Sequence, residues 1–231
     1  MPSRGSGEIG GRPDLKSRTA WILATGGPQR RTPVTSPRQR VTTVGALRKQ
    51  PEILLGDAEQ RPCENMDERP PGGRVDLLVI HSISLPPGEF GGPWIDDLFM
   101  NRLDPEAHPY FREIAGLRVS CHLLIRRDGR MIQYVPLNRR AWHAGVSSFC
   151  GREGCNDFSI GIELEGADDR PFTDAQYAAL TRATRQIVTR YPAITKSRIT
   201  SHAAIAPQRK TDPGPHFDWP RYLDSLGPEI V

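Results

Sequence analysis

The stretch VDLLVI at residues 75–80 is a nearly continuous run of apolar residues, three of them β-branched. Its length and composition are typical of a strand buried at the centre of a sheet. A second stretch, SIGIEL at residues 159–164, predicts another strand. These two segments are the basis for predicting a β-sheet, to which the other elements of the chain are added.

Turn and capping signals appear around these two strands. The Asp-Gly pair at residues 128–129 lies between two apolar runs, which is typical of a hairpin. The series TDAQ at residues 173–176 predicts a capping box that opens a long helix, and Pro192 ends that helix. The Asp-Pro pair at residues 104–105 predicts the N-cap and first position of a shorter helix.

Helices and strands are mixed along the chain. The predicted helices lie at residues 94–100, 105–114, 173–191 and 219–226, and the further strands at 119–125, 131–135 and 198–201. This order, with one hairpin in it, predicts an α/β mixed fold: a single central mixed β-sheet flanked by helices.

The beginning of the chain differs from the rest in composition. Residues 1–60 are rich in Gly, Pro, Ser, Thr and Arg and show no helical or strand period. This composition predicts a disordered, basic and dispensable extension. Residues 1–50 hold ten basic and two acidic residues, a charge of +8, and the remainder carries −4 of the net charge of +4. The folded domain is accordingly predicted at residues 61–231.

Composition also excludes several classes of protein. No run approaches the ~20 apolar residues of a membrane span, so an integral membrane protein is excluded. Four cysteines in 231 residues do not make a disulfide scaffold, and we interpret them as free thiols in a reducing compartment. The apolar run at residues 20–24 is too short for a signal peptide. We predict a cytoplasmic monomer without a membrane or nucleic-acid partner, although a basic tail could bind nucleic acid or anionic lipid.

Two histidines follow predicted strands. His81 comes directly after VDLLVI, and His202 follows the strand at 198–201. Side chains at strand ends project into the crevice where sites form in α/β sheets. Asp212 follows in a rigid Thr-Asp-Pro-Gly-Pro loop, and two histidines with one carboxylate leave the fourth tetrahedral position of a zinc ion open. The alternative is that these histidines only make hydrogen bonds, since the sequence has no HExxH-type signature.

Two carboxylates and a lysine are further candidates. Glu163 and Glu165 lie on the same face of the predicted strand at residues 159–164 and just beyond it. They indicate either a solvent-facing surface or a general base beside a metal-bound water. Lys210, two residues before Asp212, could stabilise an oxyanion or be a solvated surface lysine.

A loop with aromatic character forms a third group of candidates. Trp142 and His143, followed by Ala-Gly, are suited to stacking on a sugar, although a half-buried structural tryptophan is an alternative. His122 lies inside a predicted strand and is interpreted as structural. Cys150 and Cys155 do not have the Cys-x-x-Cys spacing of a structural zinc site.

Five strings, in order, resemble one enzyme family over most of the folded region. They are VDLLVIHSISLPPGEFGG, LFMNRLDPEAHPYF, HLLIRRDGRMIQYVPLNRRAWHAGVSSF, CNDFSIGIELEG and RKTDPGP. The family is that of the cytoplasmic 1,6-anhydro-N-acetylmuramyl-L-alanine amidases, within the zinc amidase group that includes phage-lysozyme-like amidases and peptidoglycan recognition proteins. The resemblance does not cover residues 1 to about 60.

The resemblance implies a role for each matching residue. One Zn²⁺ per chain would be held by His81, His202 and Asp212. Glu163, rather than Glu165, would be the catalytic glutamate, and Lys210 the catalytic lysine. The implied reaction is hydrolysis of the amide between N-acetylmuramic acid, preferably in its 1,6-anhydro form, and L-alanine in muropeptides recycled from the cell wall.

Substrate contacts and rival functions complete the expectations. We expect Trp142 and His143 to flank the sugar and Arg118 to meet peptide carboxylates. Ser82, Ala204 and Gln208 depart from the family pattern around the two zinc histidines, without changing a ligand. Two alternatives stay open: a peptidoglycan-binding module without catalysis, and a secreted wall-degrading amidase.

Overall fold

The computed structural model describes residues 51–230, so the first 50 residues of the predicted extension at 1–60 lie outside the described residues. Within this range the chain forms strands and helices in the following order: β1 Glu59–Gln60, β2 Met66–Asp67, β3 Leu77–Ile83, α1 Trp94–Phe99, α2 Phe111–Ile114, β4 Leu123–Ile125, β5 Met131–Gln133, β6 Arg140–Ala141, β7 Ser148–Phe149, β8 Arg152–Glu153, β9 Ser159–Glu165, α3 Asp174–Arg190, β10 Ile199–Ser201, α4 His202–Ile205 and α5 Trp219–Ser225.

Six of the strands form one central sheet in the order β1-β5-β4-β9-β3-β10. Strands β4, β9, β3 and β10 run parallel to one another, whereas β5 pairs antiparallel with β4 and parallel with β1. The predicted central mixed sheet is therefore confirmed. Two small antiparallel pairs, β2 with β6 and β7 with β8, lie beside it.

Helices cover both faces of the sheet, as predicted. On one face, Ile160, Ile162 and Leu164 of β9 join a core that includes residues of α3 and α5. On the other, the core packed against β4 and β5 includes residues of α1 and α2. Because side chains alternate along a strand, the odd-numbered residues of β9 face away from α3. This second face holds the polar cluster described below.

The turn and capping signals are confirmed. The side chain of Thr173 accepts a hydrogen bond from the backbone N–H of Gln176, and the side chain of Gln176 accepts one from the backbone N–H of Thr173. Helix α3 therefore begins with a capping box. Gly129, with φ of 84°, allows the tight hairpin between β4 and β5. Within residues 51–230, α3 is the longest helix at 17 residues, and none of the helices there is suited to crossing a membrane.

The helix predicted at residues 105–114 is shorter than expected. Only α2 forms, because Pro109 lacks an N–H and disfavours helical geometry in the residue before it. Asp104 does not cap a helix; its carboxylate accepts a hydrogen bond from the N–H of Glu106 at 2.9 Å. The strand predicted at residues 119–125 is also short, because the N–H of Ser120 bonds to the loop carbonyl of Trp142.

The folded part begins before residue 61. Strand β1 pairs with β5, and Leu55 is buried in the main core. The N–H of Leu55 donates to the side chain of Gln133 at 2.8 Å, and the N–H of Leu137 donates to the carbonyl of Ile53 at 2.9 Å. The sequence placed this boundary too late because a two-residue edge strand has no period of its own.

All four cysteines are free, as interpreted from the sequence. Three of them, Cys63, Cys121 and Cys155, are buried and pack as small apolar side chains.

Candidate metal centre

Strand register brings the metal candidates together. His81 on β3 is paired directly with Glu163 on β9. Ser201, the last residue of β10, is paired with Ile80, so His202 follows beside His81 at the start of α4. Parallel neighbours therefore place the two histidines side by side towards the carboxyl ends of their strands. The prediction that His81 follows its strand was wrong, because β3 stays paired with β9 for two residues beyond His81.

The loop after α4 returns Asp212 to the same place. The carbonyl of Asp212 accepts a hydrogen bond from the N–H of Ala203 at 3.0 Å, which fixes the loop to the first turn of α4. His81, His202 and Asp212 are all buried, with at most 3% of each exposed. A site buried to this degree does not use its polar atoms to bind bulk water.

Three atoms of these residues form a small triangle. His81 Nδ1 lies 2.9 Å from His202 Nδ1 and 3.2 Å from Asp212 Oδ2. His202 Nδ1 lies 3.1 Å from the same Asp212 oxygen. Tetrahedral Zn²⁺ with bonds of ~2.0–2.1 Å sets its ligand atoms roughly 3.3–3.4 Å apart. The triangle is slightly smaller than that and needs only a small expansion to accept such an ion.

The chemistry of the donor set also fits a cation. Burial, followed by the neighbouring His202 charge, lowers the pKa of His81 to about 4, so that its imidazole is neutral at pH 7. Burial alone would raise the pKa of Asp212, but the two histidines hold it below its usual range. Three lone-pair donors this close repel one another unless a proton or a cation lies between them. Two imidazoles and a carboxylate are a common ligand set of catalytic zinc.

Glu163 and Glu165 share a face of β9 but have different surroundings. Glu163 Oε1 lies 3.9 Å from His81 Nδ1, and its other oxygen is buried without a hydrogen-bond partner. Burial and then the charge of Asp212 raise the pKa of the Glu163 carboxyl well above its usual range, while Lys210 opposes this shift. Such a carboxylate is a candidate for proton transfer rather than for holding the fold together.

Glu165 is instead a structural ion-pair partner. Its Oε1 accepts hydrogen bonds from Arg126 Nη1 at 2.9 Å and from the N–H of Gly91 at 2.7 Å. Its Oε2 accepts from the N–H of Arg127 at 3.2 Å. Arg126 also donates to Asp96, so Glu165, Arg126 and Asp96 form a buried network of charged side chains. Each oxygen of Glu165 is therefore already engaged.

Lys210 is buried close to both acidic groups of the site. Only 8% of the residue is exposed, and its backbone N–H donates to the carbonyl of Ala206 at 3.0 Å. Burial lowers the pKa of its ammonium group, and the negative charges of Asp212 and Glu163 oppose that shift. The solvated surface lysine considered above is therefore excluded by its burial.

His143 joins the cluster through the ring of His81. His143 Nδ1 lies 2.9 Å from His81 Nε2, and His143 Nε2 lies 3.1 Å from the hydroxyl of Ser159. The residue is 9% exposed, and burial lowers the pKa of its ring well below the usual value. His122, interpreted as structural, accepts the N–H of Gly161 on its own Nδ1 at 3.0 Å.

The other two candidate substrate contacts lie outside this cluster. Trp142 is half-buried, and its side chain hydrogen-bonds to the carboxylate of Asp67. Arg118 is exposed in the segment between α2 and β4. Their roles in substrate binding stay predictions.

The residues that hold the segment behind the two histidines were not predicted from the sequence. Asn156 Oδ1 accepts hydrogen bonds from the backbone N–H groups of His143 at 3.1 Å and Ala144 at 2.8 Å. The carbonyl of Ala144 in turn lies 3.3 Å from His202 Nε2 and accepts a hydrogen bond from Arg209 at 2.9 Å. An asparagine before the strand that begins at Ser159 was the one signal available for this support.

Comparisons with known proteins agree with this site. Residues 71–215 match the family described as N-acetylmuramoyl-L-alanine amidase. The chain is 62% identical over 177 residues to the 1,6-anhydro-N-acetylmuramyl-L-alanine amidase AmpD of Citrobacter freundii, which covers 77% of this chain and 94% of that protein. The resemblance seen in the sequence is confirmed.

Two solved structures are similar to the fold. A crystal structure of a selenomethionine AmpD derivative has a TM-score of 0.73 at 60% identity, covering 75% of this chain and 96% of that one. The amidase AmiD from E. coli, in complex with the substrate anhydro-N-acetylmuramic acid-L-Ala-D-γ-Glu-L-Lys, has a TM-score of 0.53 at 28% identity, covering 70% of this chain and 66% of that one.

Proposed function

The chain belongs to the N-acetylmuramoyl-L-alanine amidase family, and from this premise we propose that it is a zinc-dependent amidase of muropeptide recycling. Its reaction is hydrolysis of the amide between 1,6-anhydro-N-acetylmuramic acid and L-alanine. The names of the relatives support the substrate, since AmpD is named for the anhydro sugar and AmiD was solved with an anhydromuramyl peptide.

One observation carries the zinc dependence of this proposal. His81, His202 and Asp212 each offer a ligand atom, and these atoms lie 2.9–3.2 Å from one another in a buried cluster. When bound there, zinc supplies Lewis acidity, which lowers the pKa of a coordinated water toward ~7 and polarises a neighbouring carbonyl. His81, His202 and Asp212 would hold the ion as its three protein ligands.

Glu163 is the proton carrier of the proposed reaction. Its partnerless carboxylate oxygen accepts a proton from the water as the water oxygen bonds to the lactyl carbonyl carbon. The same proton then passes to the alanine nitrogen as the carbon–nitrogen bond breaks. The products are a lactyl carboxylate on the sugar and a peptide with a free amine. A carboxyl whose pKa lies above its usual range holds the proton better between the two steps.

Lys210 stabilises the oxyanion of this reaction. Its buried ammonium group interacts with the charges of Asp212 and Glu163, which supports a position within reach of the oxyanion. A fixed positive charge in a buried site acts more strongly on a developing negative charge than it would in water. The presence of Lys210 and Glu163 together favours an enzyme over a binding module that has lost catalysis.

The remaining parts of the proposal concern partners and place. We propose that Trp142 and Arg118 contact the sugar and the peptide carboxylates, and that the protein acts as a cytoplasmic monomer. The free cysteines within residues 51–230 support a reducing compartment.

The decisive experiment is incubation of the purified chain with anhydro-N-acetylmuramyl-L-alanyl peptide, followed by mass spectrometry. Release of free peptide, its loss after chelation and its return with added Zn²⁺ are the expected results. The His202→Ala variant is the matched control and should be inactive with or without zinc. Binding of the muropeptide without release would favour the non-catalytic module, and full activity after complete metal removal would overturn the zinc dependence.

A further inference from the structure

A chain of buried hydrogen bonds leads away from the metal candidates. It runs from His81 Nε2 to His143 Nδ1 at 2.9 Å and from His143 Nε2 to the hydroxyl of Ser159 at 3.1 Å. It ends where that hydroxyl meets the carbonyl of Cys155 at 2.6 Å. All four residues are buried. Of the residues in this series of hydrogen bonds, the proposed reaction uses only His81.

The last acceptor sets the direction of every bond in the chain. A carbonyl oxygen only accepts, so the hydroxyl of Ser159 donates its hydrogen to Cys155. The same hydroxyl oxygen then accepts from His143 Nε2–H. A neutral imidazole has one N–H, which leaves His143 Nδ1 as an acceptor for His81 Nε2–H. Nothing but a lone pair is then left on His81 Nδ1, at the corner of the metal triangle.

We propose that His143 is a positioning residue that fixes His81 in the tautomer and ring orientation that binds the metal. This inference rests on the zinc dependence proposed above. It differs from the expectation that His143 flanks the sugar. Ligating histidines usually donate their second N–H to a carboxylate, a carbonyl or water. Here a relay of imidazole and hydroxyl extends that donation to a carbonyl.

The other histidine ligand is fixed by the same segment of chain. His202 Nε2 lies 3.3 Å from the carbonyl of Ala144, the neighbour of His143, so its proton is on Nε2 and its Nδ1 faces the triangle. Asn156 holds the N–H groups of both residues, as described above. The segment from His143 to Asn156 thus contains both carbonyl groups, of Ala144 and Cys155, at which the hydrogen bonds from His202 and from His81 end.

Strand β9 is shaped to accept the ring of His143. A Cβ atom at Gly161 would lie 2.5 Å from His143 Cγ and Nδ1, a distance that real side chains do not reach. The absence of a side chain at this position lets the imidazole lie against the strand. This packing is a close approach of two elements, which supports a fixed ring rather than a mobile one.

The test compares His143→Leu with His143→Asn and measures the zinc dissociation constant by competition with a chelating dye. Leucine and asparagine have nearly the same shape, but asparagine Oδ1 is attached to Cγ as Nδ1 is and accepts the His81 proton. We expect His143→Leu to bind zinc ~10–100-fold more weakly and His143→Asn to recover most of that loss. Ser159→Ala should weaken zinc binding by a smaller factor, and it serves as the second variant if His143→Leu does not fold.

The outcomes separate this inference from the proposed function. If the wild-type chain binds no zinc, the proposed function fails. If the wild type binds zinc and either His143→Leu or Ser159→Ala binds it equally well, the positioning role is overturned. Equal loss in His143→Leu and His143→Asn would also overturn it. A raised KM for the muropeptide with unchanged zinc affinity would assign His143 to the sugar instead.

Discussion

Replacing Glu163 and Glu165 by glutamine, one at a time, should have opposite consequences. Glutamine has nearly the shape of glutamate but accepts no proton at neutral pH. At Glu163 it removes the group that moves the proton in the proposed reaction. General acid–base catalysis contributes ~10²–10⁴ in rate, so Glu163→Gln should lose that factor, or about 3–5 kcal/mol of transition-state stabilisation.

The same change at Glu165 acts on the fold. Both oxygens of Glu165 accept from donors, so an amide NH₂ there would face either Arg126 and Gly91 or the N–H of Arg127. Breaking a buried ion pair by removing one partner costs ~3–5 kcal/mol. In a domain of this size that corresponds to a melting temperature lower by roughly 6–20 °C. Because Arg126 keeps its contact with Asp96, we expect the lower half of that range.

Glu163→Gln should by contrast melt at or above the wild-type temperature. Its Oε2 has no partner to lose, and the neutral amide removes a charge that Asp212 repels. Both variants are assayed on the anhydromuramyl peptide well below their melting temperatures, and calorimetry and zinc content are measured on the same samples. Turnover within about twofold of wild type in Glu163→Gln would refute the role of this residue. A stable but inactive Glu165→Gln would show that the two carboxylates have been exchanged in our assignment.

Three other predictions follow from the same structure. A chain that starts at Pro51 should keep the melting temperature of the full chain. A chain that starts at Glu64 lacks β1 and the buried Leu55, and the leucine alone contributes about 1.5–3 kcal/mol to the free energy of unfolding, so this chain should melt at a lower temperature. Equal melting temperatures of the two truncated chains would contradict the boundary drawn here. Lys210→Met should lower kcat by ~10²–10³ while zinc content stays stoichiometric, and an unchanged kcat would show that the ammonium group is not used. Burial would raise the pKa of Asp96, but hydrogen bonds from Tyr134 and Arg61 and the charge of Arg126 hold that pKa below its usual range, so the ionised carboxylate stabilises the fold fully above pH ~3.9 and this stabilisation is lost as the pH falls further. The free energy of unfolding in urea should therefore depend less on pH below ~3.9 for Asp96→Asn than for the wild type. The same pH dependence in both proteins would argue against this linkage.

Local signals were sufficient for the elements that local physics determines. VDLLVI predicted β3 because a continuous apolar strand is buried on both faces, although β3 begins at Leu77 and runs on to Ile83. SIGIEL predicted β9. The Thr173 capping box and Pro192 bounded α3 to within a residue or two. The helix predicted at residues 105–114 failed where two local signals conflicted, since Pro105 favours a helix start and Pro109 prevents its continuation.

The sequence indicated which three residues form the candidate metal centre, but it did not show that they lie next to one another. Two strand ends with histidines indicate a shared crevice only if the strands are neighbours, and the order β9-β3-β10 is not written in any local pattern. The separation of Glu163 from Glu165 depends on the same order. The two residues share a face of β9. Arg126 directly follows β4, the strand paired with β9, and its guanidinium group neutralises Glu165 and not Glu163.

The support behind the histidines was beyond sequence analysis for a different reason. A sequence specifies which side chains are present, but the tautomer of a ligating histidine depends on where backbone carbonyls point. In this chain the carbonyls of Ala144 and Cys155 end the two paths that leave a free Nδ1 on His202 and His81. Both belong to the segment between β6 and β9, which contains little regular structure. We therefore expect substitutions that disturb this segment to weaken zinc binding even though none of its residues is a proposed ligand.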